Sequence, residues 1–330
     1  MRTLMAVVIG LALAWSGYWL VGADALETAA HDWFADQTAQ GRLASHDSLV
    51  VHGFPSRFDL TIQAPKLADP ATGLGWQAPF VQILSLSYKP WHIIAALPET
   101  QQFFTADQVI TLTSTHLKAS LIVKPGSALA LDRIAVVGEG LQAVSSLGWQ
   151  IAADHARFAS RQDTTQRNAH QIGIELTDLA PDPGLIAALS GQSDLPALIA
   201  IARLDAVVSL SAPLDRHAGQ TQPRLTALAV KEGLIRWGSM VLYAKGSITP
   251  DAQGLAQGRI NLRAENWPEA LTVATEIGLI SPEVAPTLDR ALTLLAEQSG
   301  QALILDLPLS FQSGYMSLGP IPLGSAPRLN

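Results

Sequence analysis

The chain contains no cysteine, which excludes disulfides, thiol catalysis and cysteine-ligated zinc. Charge is also scarce. Asp, Glu, Lys and Arg make up 15% of 330 residues, the net charge is −7, and the 21 Lys and Arg form no cluster. A nucleic-acid partner is therefore excluded, because phosphate neutralisation needs grouped cations. An apolar fraction of 48% with a mean hydropathy of +0.23 excludes a disordered chain, which needs low hydrophobicity and high charge. Local catalytic signatures are missing as well: no P-loop, no GxGxxG, no GxSxG, no HExxH, no SxxK and no EF-hand loop. The eight histidines (His31, His46, His52, His92, His116, His155, His170 and His217) include no pair at i, i+2 or i+4, so none forms a local metal pair. No metal, no cofactor and no enzymatic activity are expected.

One long apolar run is present. Residues 4–22, LMAVVIGLALAWSGYWLVG, carry no charge. As a helix rising 1.5 Å per residue they reach about 28 Å, close to the hydrocarbon thickness of a bilayer. Arg2 precedes the run, and Asp24 and Glu27 follow it. The positive flank predicts a cytoplasmic amino terminus, a single-pass inner-membrane anchor over residues 1–23, and a periplasmic remainder. Trp15, Tyr18 and Trp19 gather at the outer end, where amphipathic rings favour the headgroup level. The alternative is a cleaved secretory signal, with Val21-Gly22-Ala23 as the small-residue site before Asp24.

Residues 24–45 read as a connecting helix, with Leu26, Ala30, Trp33, Phe34 and Leu43 on one stripe. From residue 46 to 330 the pattern is mostly period-two. Phe58–Gln63, Leu117–Val123, Leu129–Val137, Gln171–Leu176, Ala206–Leu210 and Gly258–Ala264 alternate apolar with polar and are separated by turn residues. Leu234–Trp237 and Met240–Ala244, joined by Gly238-Ser239, predict a hairpin. Pro79 predicts an edge or bulged strand, and residues 317–324 an extended edge strand. Helices interrupt twice: Pro183–Leu204 contains a helical stretch, split at Gly191 and Pro196, and a second helical region runs from Asn266 to Gly300. There Asn266 with Glu269 has capping-box spacing, and Ser281-Pro282-Glu283 starts a second helix. The expected fold is α+β, mainly β: a large curved antiparallel sheet of about a dozen strands with a few packing helices. Residues 46–180 and 200–330 are candidate sheet halves.

Aromatic residues at strand starts are the candidates for an apolar groove: Phe58, Trp76, Phe80, Tyr88, Trp91, Trp149 and Trp237. Large rings on one sheet face otherwise fill a core. Arg57 and Arg133 are candidates for a lipid phosphate or for a structural ion pair.

Several stretches together carry a family resemblance: GFPSRFDLTI (53–62), GWQAPF (75–80), LSYKPWHIIAALPETQ (86–101), KASLIV (118–123), LDRIAVV (131–137) and SLGPIPLG (317–324). With the anchor, they resemble a DUF2125-like family of alphaproteobacterial envelope proteins, which is distantly similar to AsmA-like proteins. That resemblance implies an inner-membrane anchor, a periplasmic antiparallel sheet, and work on phospholipid movement or outer-membrane upkeep. It supplies no catalytic residues. The expected function is a sheet groove that binds phospholipid or another acyl-bearing ligand. The alternative is a structural module of the cell envelope that pairs an edge strand with a protein partner.

Overall fold

The computed structural model describes residues 1–191 and 193–329. Among them lie twenty strands and five helices, so the protein is mainly β and its ladders are antiparallel, as the alternation predicts. The strands exceed the expected dozen because several are only three to five residues long, too short to display a period in sequence. The chain divides into two compact units, residues 1–125 with 136–148, and residues 126–135 with 149–330.

The first unit begins with α1 (Arg2–Ala39), one unbroken helix. The expected anchor and connecting helix are therefore continuous. The helix stops by Gln40, and Gly41 takes a positive φ of 81° to turn the chain away. Ten strands follow, β1 (Leu43–Ser45), β2 (Ser48–His52), β3 (Arg57–Gln63), β4 (Lys66–Asp69), β5 (Leu74–Gln77), β6 (Phe80–Leu86), β7 (Lys89–Leu97), β8 (Thr100–Phe104), β9 (Val109–Thr113) and β10 (His116–Val123), and residues 136–145 of β11 (Leu131–Ser145) complete the unit. They pair in two runs. One is β2-β3-β6-β7-β10. The other is β1-β4-β5-β8-β9, continued by residues 142–145 of β11.

Alternation along β2 and β3 sends Leu49, Val51, Phe58, Leu60 and Ile62 to one side, where Trp19, Ala23 and Phe34 of α1 meet them. Pro79 lies just before β6 rather than inside a strand. It therefore blocks no ladder bond of its own, and its carbonyl accepts from Ala64 N at 2.7 Å.

In the second unit β12 (Gln150–Gln162), β13 (Ala169–Ala180), α2 (Pro183–Leu189), β14 (Ile199–Leu210), α3 (Ala218–Thr221), β15 (Leu225–Trp237), β16 (Met240–Pro250), β17 (Ala256–Glu265), α4 (Trp267–Glu276), α5 (Ala285–Gln298), β18 (Ile304–Gln312), β19 (Tyr315–Leu318) and β20 (Ile321–Ser325) follow in order. Every strand pairs with the next, making a nine-strand antiparallel meander. The predicted Gly238-Ser239 hairpin is present, with Trp237 opposite Met240.

Three local expectations are corrected. Asn266 does not cap α4 with its side chain; it sits in the left-handed region (φ 53°), and its amide donates to Ser239 Oγ at 2.8 Å instead. α5 starts at Ala285, after a turn over residues 281–284. Residues 317–324 contain the turn of the β19–β20 hairpin rather than one edge strand, because Gly319 takes φ 54° and reverses the chain.

Two carboxylates fix the second unit's connections. Asp163, at the end of β12, accepts from the Thr165 hydroxyl and backbone N–H and from Gln171, which hold its pKa down at about 2. Asp182 accepts from Gln150 N and from Gly184 N, both at 2.8 Å, and these bonds lower its pKa. It thus caps α2 and ties that helix to the start of β12.

Candidate functional site: an apolar pocket under two helices

The second unit's meander is amphipathic to an unusual depth. Two cross-strand rows run over β13 to β18 on one face. The first is Leu176–Ala202–Ile235–Leu242–Ala264–Leu305. The second is Ile174–Leu204–Gly233–Ala244–Leu262–Leu307. Side chains two apart on a strand share a face, so these rows are neighbours. One extra residue in β15, around Lys231, lets Val230 and Gly233 both point to the apolar side despite their odd spacing. The opposite face is charged. There Glu175 lies 3.6 Å from Arg157 and 2.8 Å from Arg203, and Arg263 lies 3.4 Å from Glu265.

Helices α4 and α5 roof this apolar face. Trp267, Leu271, Leu288, Leu292 and Ala296 form a buried cluster with Leu305. In α5 the buried positions Leu288, Leu292 and Ala296 recur every four residues, which makes a single stripe. The Trp267 indole donates to Ala302 O at 3.0 Å and so pins the start of α4.

Roof and floor do not close on one another. Between them lies a pocket of about 610 Å³, lined by both rows and by Trp267, Ala270, Leu271, Ala274, Ile280, Leu288 and Leu292, with Arg203, Tyr243 and Arg263 also on its border. The small residues explain the space: Ala202, Gly233, Ala244 and Ala264 lower the floor, while Ala270 and Ala274 thin the roof. Ile174 and Ile235, 36% and 38% exposed, mark the side open to solvent. By liquid volume such a space would hold about twenty waters, yet a stable buried water needs two to four polar partners. The inward side chains of the two rows are aliphatic or absent and supply none.

The sequence-predicted groove residues lie elsewhere. Phe58 is buried beneath α1. Trp76 donates to Gln101 Oε1 at 3.0 Å and borders a smaller pocket of about 320 Å³ with Trp33, Arg42 and Asp69. Phe80 and Trp91 are half-buried in β6 and β7, Tyr88 is exposed between them, and Trp149 precedes β12. Trp237 is 2% exposed, packs with Leu189 and Met240, and donates to Pro196 O at 2.6 Å. None of the seven lines the large pocket. Both arginines are ion-paired to carboxylates, Arg57 with Asp59 and Arg133 with Asp132 at 3.1 Å. The rows went unrecognised because their signal is alternation of small and branched aliphatics. Each strand shows it separately, and only the register assembles it.

A second feature of note is in the first unit. The aromatic end of the apolar helix is bonded to the β structure. Trp15 Nε1 donates to Pro55 O (2.8 Å), Tyr18 OH to Ser87 O (2.6 Å) and Trp19 Nε1 to Arg57 O (2.7 Å). Trp19 stacks on Phe58 and meets Phe54 edge-on, with centroids 6.0 and 5.4 Å away. Gly22 faces the Phe58 ring so closely that a Cβ there would lie 2.6 Å from Cζ.

Together these features define a β-meander protein with a helix-roofed apolar pocket and an amino-terminal helix long and apolar enough to cross a membrane. The chain matches the family described as "Uncharacterized protein conserved in bacteria (DUF2125)" over residues 19–327 and belongs to it. No curated protein and no solved structure matches the chain, and the likeness to AsmA-like proteins is not shown.

Proposed function

We propose that the protein is a membrane-anchored, periplasmic binding protein that takes a phospholipid or another acyl-bearing molecule into the second unit's pocket. The pocket carries this reading. It has the size of a small-molecule site, it is walled by aliphatic side chains, and its mouth is apolar. Leaving such surface dry and empty forfeits dispersion contacts on both walls, and an acyl chain restores them without needing a hydrogen bond. The two rows place no nucleophile and no base toward the pocket, which favours binding over catalysis. Helix α1 supports the membrane part. Its apolar half is exposed from Leu4 to Trp15, and Arg2 at its start favours a cytoplasmic amino terminus.

The test is photo-crosslinking of the full chain in lipid nanodiscs that contain a phospholipid with a photoactivatable acyl chain. Adducts on peptides that carry Leu204, Ala244, Leu262 or Leu288 are expected, and Ala244→Trp should abolish them. Adducts restricted to residues 4–22, unchanged in that variant, would overturn the proposal.

A further inference from the structure

We infer that the first unit touches the membrane a second time, through the tips of its β2–β3 and β6–β7 connections, which enter the outer headgroup layer beside α1. The inference rests on the membrane-spanning reading of α1 proposed above.

It follows from a conflict of lengths. The apolar run starts at Leu4, next to the charge of Arg2. Eleven residues later stands Trp15, already bonded to Pro55 O. That interval is about 16 Å of helix, whereas the hydrocarbon layer is about 30 Å thick. A bilayer edge below the Trp15 level would leave roughly half the required thickness spanned, and mismatch costs a fraction of a kcal/mol for every ångström. The whole run to Gly22, about 28 Å, matches the layer, which puts the outer edge near Gly22 and Trp15 about 10 Å below it. A polar loop does not rest that deep in hydrocarbon, so the layer thins beside it and headgroups descend to the level of Tyr18. Whatever is fastened to Trp15 and Tyr18 then sits at that headgroup level.

What is fastened there suits the place. Phe54 is 55% exposed and Tyr88 59%, in two neighbouring connections held by the Trp15 and Tyr18 bonds. With the half-exposed rings of Trp15 and Tyr18 they form an aromatic collar of the kind that settles at headgroup depth. Arg57 opens β3 next to this tip, its guanidinium paired with Asp59. A free loop would be indifferent to the bilayer. This one is held at a fixed height by three hydrogen bonds, so the helix cannot span without carrying it in.

The chain's lack of cysteine makes the test direct. The full chain is reconstituted into vesicles of phosphatidylethanolamine and phosphatidylglycerol with one cysteine, introduced as Phe54→Cys, Tyr88→Cys, Ile9→Cys or Leu74→Cys, and labelled with an environment-sensitive fluorophore. Ile9, within the apolar run, is the embedded reference. Leu74, exposed and beside Trp33 and Arg42 at the far end of α1, is the aqueous reference. Probes at 54 and 88 are expected to emit to the blue of the Leu74 probe. A nitroxide near the lipid headgroup should quench them more strongly than one deep in the acyl chain, with the opposite order at Ile9. Should probes at 54 and 88 behave like the Leu74 probe while the Ile9 probe is quenched, the collar stands in water and the inference fails alone. Should the Ile9 probe also be unquenched, the spanning reading fails and takes the inference with it. Phe54 packs on Trp19, so a disturbed Phe54→Cys protein leaves Tyr88→Cys to decide.

Discussion

Replacing Ala274 with leucine separates a real void from a tightly filled core. Ala274 is in α4, partly buried, and faces the pocket from the roof. Leucine is nearly as good a helix former as alanine, so backbone preference changes little. The substitution adds three carbons. At about 0.8 kcal/mol for each buried methylene they contribute up to about 2.4 kcal/mol, and fixing the leucine rotamer removes about 0.5–1 kcal/mol of that. If the space is empty, the full chain stripped of lipid in a bulky detergent should gain about 1–2 kcal/mol. For a unit of this size, that raises the melting temperature by about 2–8 °C. Acyl-probe uptake should fall in parallel, since the side chain takes the ligand's place. Tryptophan fluorescence follows the transition, with Trp267 beside the pocket as the local reporter. Leu288→Ala is the counterpart. Leu288 is buried in the same cluster, and its truncation should cost about 2–5 kcal/mol. A loss of about 1–3 kcal/mol in Ala274→Leu is the mark of overpacking and would show that side chains already fill the space.

Three other outcomes are expected. In an isolated helix Gly22→Ala would gain up to about 1 kcal/mol; here the new Cβ meets the Phe58 ring, so thermal unfolding should show a net loss, and a gain would mean that α1 does not dock. Asp163 has a pKa lowered to about 2 by Thr165 and Gln171. The stability it contributes is therefore complete above the unfolded carboxylate range near 4 and is lost as pH falls through about 2. Asp163→Asn should be less stable than the parent at pH 7 by chemical denaturation, with the gap closing toward pH 2; a gap that persists at low pH would exclude the carboxylate as its source. Finally, a reporter that works only in the cytosol, fused after residue 330, should be silent in living cells, and an active one would place the β structure on the cytoplasmic side.

Residue order alone determined the secondary-structure class and the membrane-length helix. Both are written in spacing: period two in stretches such as Gln171–Leu176, and nineteen uncharged residues from Leu4 to Gly22. These features need no partner to be recognised. Three-dimensional packing decided the rest. The need for a glycine at position 22 of α1 comes from the Phe58 ring, which lies 36 residues further on. Trp237, which looked like a groove residue, became a pin because its indole N–H found the Pro196 carbonyl, and a buried donor needs such an acceptor. The pocket arises because register aligns Ala202, Gly233, Ala244 and Ala264 across four strands under one pair of helices. A small residue in one strand is only a small residue; adjacent ones, set side by side by hydrogen-bonded pairing, make a cavity.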